Sequence, residues 1–266
     1  MQQEIKTAPK KKPLPEKKIN SVRFPIRFRE FENGHFRKLK IFLIRPFDYM
    51  LYFIIFLISY SIVKIIHGAK ISGREKLPKK RGAIIISNHS LLLEPPYLAF
   101  YSFPGQNYFT SNIYNLTTPF LKNFLRHVNT MPLFQGKRYP ESHKFILLAL
   151  KKSHVHFYPE GYISHMSNRM LKFKLGAFRI AIETGLPIYP LVFFKRRIRL
   201  GSLSLPFIIR AHAEIYDPVL INDFKPENGD IEIWAENLAS HCYNIMQSRL
   251  NDYMTMHNLS SYPNGS

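Results

Sequence analysis

Residues 83–94 read Ala83-Ile84-Ile85-Ile86-Ser87-Asn88-His89-Ser90-Leu91-Leu92-Leu93-Glu94. The short apolar run Ala83–Ser87 reads as a buried strand. Glu94-Pro95-Pro96 then opens a helix, because proline is tolerated in a first turn. His89 therefore stands at the carboxyl end of a strand, where open α/β sheets place their ligands. Glu94 lies five residues on, at the start of that helix. One tight turn can bring its carboxylate to the imidazole, fixing the tautomer and stabilising the imidazolium while the other ring nitrogen acts as a general base. On this fragment alone, a capping Glu beside a surface His is the more common reading.

Outward from this stretch, short apolar runs alternate with helical patterns. Strands are expected at 130–134, 154–158, 188–194 and 207–215, the last giving one or two. Helices are expected at 115–128 despite Pro119, at 141–153 with an apolar face of Phe145, Leu148 and Ala149, at 171–184 closed by Gly185, and from 231 to about 257. Strands alternating with helices predict an α/β fold, a mixed sheet sandwiched by helices. The sequence shows no internal repeat and no metal-ligand cluster.

The chain has 266 residues, which suits one domain or one domain with an appended segment. With 45% hydrophobic and 21% charged residues it can build a sizeable core, and a disordered or collagenous chain is excluded. Thirty-eight Lys and Arg against 18 Asp and Glu leave a formal charge of +20, which implies an anionic partner: nucleic acid, an acidic membrane surface or a phosphorylated substrate. The single cysteine, Cys242, excludes an internal disulfide framework and a cysteine-rich zinc site, and fits a reducing compartment.

Residues 1–45 hold 13 Lys and Arg and 4 Glu, so they carry +9 of the +20. Residues 1–36 read as a basic flexible tail suited to anionic lipid, at about 1 kcal/mol per basic residue near the surface. From Tyr49 to Val63 the chain runs YMLYFIIFLISYSIV without a charge. Spanning a bilayer takes about 20 apolar residues, so this run is borderline, and a buried core helix is the alternative. Basic residues on both flanks suit a segment that dips into one leaflet or lies along it, with residues 38–47 as the other limb. Residues 37–67 are thus expected to be a membrane-anchoring helical segment, 68–258 the main domain and 259–266 a C-terminal tail.

A second motif is Phe157-Tyr158-Pro159-Glu160-Gly161-Tyr162-Ile163-Ser164. A strand ends in a Pro-Glu-Gly turn, where Gly161 allows a left-handed backbone and close approach by a ligand and Glu160 is held at the sheet's edge. An ordinary strand-ending turn has the same signature.

Together, His89-x-x-x-x-Glu94 and Phe157-Tyr158-Pro159-Glu160-Gly161 resemble the first and third motifs of the glycerolipid acyltransferases, typified by the 1-acylglycerol-3-phosphate acyltransferases. Lys172 to Phe178 resembles the segment after the Pro-Glu-Gly motif. Leu186-Pro187-Ile188-Tyr189-Pro190-Leu191 resembles the fourth motif, and Met131 to Phe134 sits where the second belongs, before Lys137-Arg138. Order and spacing agree over about residues 70–220. The resemblance implies transfer of a fatty acyl chain from acyl-CoA or acyl carrier protein to a lysophospholipid hydroxyl, 1-acylglycerol-3-phosphate foremost. It implies an enzyme of phospholipid biosynthesis, associated with a membrane through a helical anchor before the first motif. Its active site is expected at the cytoplasmic face.

Three departures bear on the acceptor. Glu94 stands where the family usually has Asp, as in the lipid A late acyltransferases, which lack a good Pro-Glu-Gly motif. Tyr162 and Ile163 replace a common Thr-Arg, whose Arg helps hold the acceptor phosphate. The Arg often found in the second motif falls on Gln135, Lys137 or Arg138. Direct transfer is expected, with His89 as base and Glu94 orienting it, over a Ser90 nucleophile. Glu160, Gly161, Lys137, Arg138 and Lys174 are the expected substrate-binding residues, with backbone N–H groups near Gly161 for the oxyanion. No metal and no cofactor beyond the acyl donor is expected. Other acceptors, such as a glycolipid or a lipid A precursor, remain open, as does a non-catalytic lipid-binding protein. Nucleic acid is disfavoured, since no nucleic-acid motif accompanies the charge.

Overall fold

The computed structural model describes residues 14–22, 68, 70–79, 82–91, 107–118, 129–151, 153–165, 167–200 and 203–259, with isolated positions between 50 and 64 and at 94, 98 and 125. In chain order the described elements are α1 (Glu16–Ser21), β1 (Lys70–Ser72), β2 (Ile84–Ser87), β3 (Asn107–Asn112), α2 (Ile113–Thr117), β4 (Thr130–Leu133), α3 (Tyr139–Leu150), β5 (His154–Phe157), α4 (Gly176–Thr184), β6 (Ile188–Leu200), β7 (Leu203–Ile215) and α5 (Ile231–Met256).

The seven strands form one sheet in the order β1-β7-β6-β2-β5-β3-β4. β2 lies between β5 and β6 and runs parallel to both, with Ile84 opposite Val155 and Ile188. β3 runs parallel to β5 and β4. Only the β6–β7 pair is antiparallel, so the sheet is mixed as expected. The five parallel strands from β2 to β6 therefore send their carboxyl ends to one edge, and His89 and Glu160 both follow strands that end there.

All four residues of β2 are buried, because both faces of the sheet are covered. Ile84 and Ile86 pack with Val155, Phe157, Phe145 of α3, Phe178 of α4 and Met246 of α5, while Ile85 packs on the opposite face with Leu98, Leu191 and Phe193. Burying each such isoleucine contributes roughly 1.5–3 kcal/mol. The long α5 starts at Asp230, whose Oδ1 accepts from the N–H groups of Glu232 and Ile233 at 2.8 and 3.0 Å.

Several boundaries differ from the sequence expectations. The helix expected at 115–128 begins at Ile113, capped by the Asn112 side chain, and its first part stops at Thr117. Thr118 precedes Pro119 and is driven out of the helical region. Beyond it, 119–124 and 126–128 lie outside the described residues. The helix expected from 171 begins at Gly176 instead. Leu171 and Lys174 spend their N–H groups on Glu160 Oε2 and Pro159 O, which holds 171–174 extended. Strands β1 and β3 were not expected, and β6 and β7 are each 13 residues long, forming a hairpin that runs well past the end of β2.

Most of the expected tail (1–36) and anchor (37–67), and nearly all of the C-terminal tail (259–266), lie outside the described residues. Among the described residues no helix is long and apolar enough to cross a membrane. The helical positions Met50, Phe53, Ile54, Leu57 and Ile58 are all exposed, at the i, i+3, i+4, i+7, i+8 spacing of one helix face.

Candidate active site

β2 ends with a side chain doing the work of a peptide. Asn88 Nδ2 donates to Phe193 O at 3.0 Å, and Phe193 N donates to Asn88 Oδ1 at 2.8 Å. The amide closes the β2–β6 ladder and frees the main chain to turn away at His89. His89 Nδ1 then meets Glu94 Oε2 at 2.6 Å. The other carboxylate oxygen, Oε1, accepts from Ser90 N at 2.8 Å, Ser90 Oγ at 2.7 Å and Leu91 N at 2.9 Å. Glu94 is fully buried, and these four bonds fix it. A carboxylate only accepts, so His89 donates from Nδ1 and its Nε2 carries the lone pair a base requires. The Ser90 hydroxyl is buried and donates to Glu94, so it braces the carboxylate and is not poised as a nucleophile.

The Pro-Glu-Gly turn clasps this histidine from the next strand. Glu160 Oε1 accepts from His89 N at 2.7 Å and Oε2 accepts from Leu171 N at 2.7 Å, while His89 O accepts from Ser164 N at 2.9 Å. Glu160 is 1% exposed, and both of its oxygens hold backbone. It was expected to touch substrate; burial and these bonds make it a clip that positions His89. Burial pushes its carboxyl up to about 7, against the two N–H donors that favour the ionised form. The His89 ring stacks on Tyr158 at 4.0 Å between centroids, and Tyr158 leans on His156 at 4.9 Å. His156 is fully buried against Ser87 Oγ at 2.7 Å, and burial, reinforced by His89, lowers it to about 3.

Gly161 adopts φ 64°, the left-handed conformation expected of it, and its N–H donates to Tyr158 O at 2.9 Å. That donor is therefore spent in the turn and is not free for an oxyanion. Lys174 crosses over the glycine: a Cβ built there would lie 2.7 Å from its Nζ. The exposed Lys174 thus reaches the turn beside His89, two residues before α4 begins.

Lys137 and Arg138 follow β4 on the same edge of the sheet, and they part company. Lys137 is exposed. Arg138, expected to hold a phosphate, has its guanidinium committed elsewhere. Nε and Nη2 donate to Glu141 at 2.7 and 2.6 Å, Nη1 donates to Ile19 O at 2.7 Å, and the group lies 3.6 Å over the Phe134 ring. It ties α1 to the start of α3.

Lys195 was missed by the sequence reading. It is 1% exposed, and its Nζ donates to Ser167 O at 2.6 Å. Burial lowers it to about 8, while the Glu94 and Glu160 carboxylates pull it upward. It is a buried cation whose charge is felt by the two buried carboxylates. The signal was strand parity: Leu191, Phe193 and Lys195 share one face of β6, and the first two are core. No group of three or more His, Cys, Asp or Glu able to hold a metal ion occurs among the described residues.

Comparison with known proteins bears on this arrangement. The family described as Acyltransferase matches residues 68–194. A stretch of 95 residues is 30% identical to the 1-acyl-sn-glycerol-3-phosphate acyltransferase of Haemophilus influenzae, covering 35% of this chain and 35% of that relative. The chain thus spans about a third of the length of the curated relative it matches. The crystal structure of the 1-acyl-sn-glycerophosphate (LPA) acyltransferase PlsC from Thermotoga maritima shares the fold, with a TM-score of 0.55 at 19% identity over 86% of each chain.

Proposed function

We propose, on the premise that residues 68–194 form an Acyltransferase-family domain, that this protein acylates a lysophospholipid hydroxyl at a membrane surface. The observation that carries the reading is the 2.6 Å contact of His89 Nδ1 with a buried, four-bonded Glu94 at the carboxyl edge of the sheet. The donor is a soluble thioester, acyl-CoA or acyl carrier protein, and the active edge faces the cytoplasm where such donors are found. The acyl donor is a substrate, and no resident cofactor takes part.

His89 Nε2 takes the proton of the acceptor hydroxyl as its oxygen attacks the thioester carbonyl. Glu94 offsets the charge developing on the imidazolium. The tetrahedral intermediate collapses, the carbon–sulfur bond breaks, and the leaving thiolate recovers the proton from His89. The 1-acylglycerol-3-phosphate relative makes that lysolipid the favoured acceptor. Lys174 over the Pro-Glu-Gly turn and the exposed Lys137 are the cations for its phosphate, in place of the missing Arg. The exposed apolar stripe from Met50 to Ile58 supports membrane association.

The test is product analysis. Purified full-length chain is mixed with vesicles, a panel of lysolipids and both donor types, and products are read by mass spectrometry alongside free thiol. Phosphatidic acid formed together with free thiol supports the reading. A thiol release that needs no lysolipid overturns it. Tyr162 supports a second reading. It is 38% exposed in place of the Thr-Arg common to the motif this turn resembles, and with Ile163 it can form an apolar wall for a neutral glycolipid acceptor. Product from glycolipids and none from phosphate-bearing lysolipids would favour that one.

A further inference from the structure

The β6–β7 hairpin is a surface the catalytic chemistry does not use. The last β2–β6 pair is Ser87 with Leu191, yet β6 continues to Leu200 and returns through β7. At about 3.3 Å per residue, Arg197 stands roughly 20 Å beyond the end of β2. Because β6 is parallel to β2, this ribbon projects from the edge that carries His89.

Its charge has one sign. From Lys195 to Arg210 the sequence holds five Lys or Arg and no acidic residue. Lys195 is buried, but Arg196, Arg197 and Arg210 are exposed. Arg196 and Arg210 are direct cross-strand partners, so two like charges face each other on one side of the ribbon, an arrangement that is destabilising without an anion between them. Arg197 points to the other side. Lys70, also exposed, pairs in register with His212 two residues beyond Arg210 and extends the row on the Arg210 side. Among the described residues none of these four forms an ion pair. By contrast Lys76, Arg138 and Arg179 are paired with Asp217, Glu141 and Glu232. The Arg210 guanidinium packs directly over Gly68, where the uncharged run that ends at Val63 gives way to the domain. The cationic ribbon therefore touches the chain at Gly68, five residues after the end of the apolar run.

We propose that Lys70, Arg196, Arg197 and Arg210 form a docking surface for an anionic lipid bilayer. The ribbon lies against phosphate head groups and holds the catalytic edge at the level of the lipid surface. A ribbon that meets the surface edge-on can offer Arg196 and Arg210 from one face and Arg197 from the other to the phosphates. The contact of Arg210 with Gly68, five residues after an uncharged apolar run in the chain, fits a bilayer better than a soluble polyanion. The proposal rests on the membrane-surface part of the function proposed above, and because flotation reads binding without turnover, its failure is distinguishable from a failure of acyl transfer.

The test uses the full chain and two kinds of vesicle, phosphatidylcholine alone and phosphatidylcholine mixed with phosphatidylglycerol, read by flotation. Each basic residue near an anionic surface is worth roughly a five-fold factor in partitioning. The triple variant Arg196→Ser, Arg197→Ser, Arg210→Ser should partition about 100-fold more weakly onto anionic vesicles and unchanged onto neutral ones. Arg197→Ser alone, the mildest change, should show about a five-fold loss. A control variant with the same charge loss elsewhere, Lys144→Ser, Lys151→Ser, Lys225→Ser, should retain most of the preference. The idea is overturned if the triple and control variants lose equally, if Arg197→Ser loses nothing, or if the triple variant loses as much on neutral vesicles. Tighter retention on RNA than on anionic vesicles, abolished by the triple variant, also overturns it in favour of nucleic acid.

Discussion

Replacing Glu94 by Gln isolates one function of the site, because the side chain keeps its size and only the charge and one acceptor change. Oε1 serves three donors, Ser90 N, Ser90 Oγ and Leu91 N, so the amide oxygen must take that side. The amide nitrogen then faces His89 Nδ1, 2.6 Å away in the present structure, and it can only donate. Nδ1 must become an acceptor, the ring proton moves to Nε2, and the lone pair needed for the acceptor hydroxyl is lost. The carboxylate-to-amide exchange in a Ser-His-Asp triad, which inverts the tautomer in the same way, lowers kcat about 10⁴-fold. A loss of about 10³–10⁴-fold is expected here, roughly 4–5.5 kcal/mol in the barrier. The assay is acyl transfer to vesicle-bound lysolipid under saturating donor, with thermal unfolding to confirm that the buried amide leaves the fold intact. Glu94→Asp keeps the carboxylate and should retain more activity than the Gln variant. A folded Glu94→Gln enzyme within a few-fold of the parent would refute the argument that Glu94 sets the tautomer.

His89→Ala removes the base and should lower turnover by about 10²–10⁴-fold while vesicle flotation stays unchanged; comparable turnover would mean that another group takes the proton. Gly161→Ala places a Cβ 2.7 Å from Lys174 Nζ at φ 64°. It should destabilise by about 1–2 kcal/mol in chemical denaturation and raise the acceptor KM, and an unchanged KM would show that Lys174 does not serve the acceptor. Lys137→Ala should raise the KM for phosphate-bearing lysolipids more than it lowers kcat, whereas Arg138→Ala should lower stability without that split, since its bonds are to Glu141 and Ile19. Glu160 titrates at about 7 when folded, above its unfolded value near 4.5. Its contribution to stability is therefore fully present below about 4.5 and is lost as pH rises through about 7, so the stability difference between parent and Glu160→Gln should fall over that interval in denaturant titrations. A difference independent of pH would contradict the raised value.

The sequence revealed the sheet's centre and the His89–Glu94 pair because both are local. An apolar run ending at a strand-to-helix turn needs no distant contact to be recognised. What it hid depends on pairing across the sheet. β1 is a three-residue edge strand whose identity comes only from its register with β7, and Lys70-Ile71-Ser72 carries no pattern of its own. The late start of α4 follows from N–H groups captured by Glu160 and Pro159, which no helical periodicity discloses. Arg138 is legible as a basic residue after β4 and Lys195 is not singled out, yet the first is tied to Glu141 and Ile19 and the second is fully buried. Only the parity of Leu191, Phe193 and Lys195 on β6 separates them.

The side-chain ladder at Asn88 sets when the base can exist. Its partner Phe193 is synthesised 105 residues later. At roughly 5–20 residues per second, translation takes about 5–20 s to cover that gap. His89 has emerged long before, but until β6 arrives nothing closes the end of β2, and until the Pro-Glu-Gly turn arrives nothing holds the His89 N–H. The apolar run at 49–63 precedes all of these in the chain. A nascent chain therefore exposes its apolar run first and acquires a poised imidazole only after β6 and the Pro-Glu-Gly turn have been made.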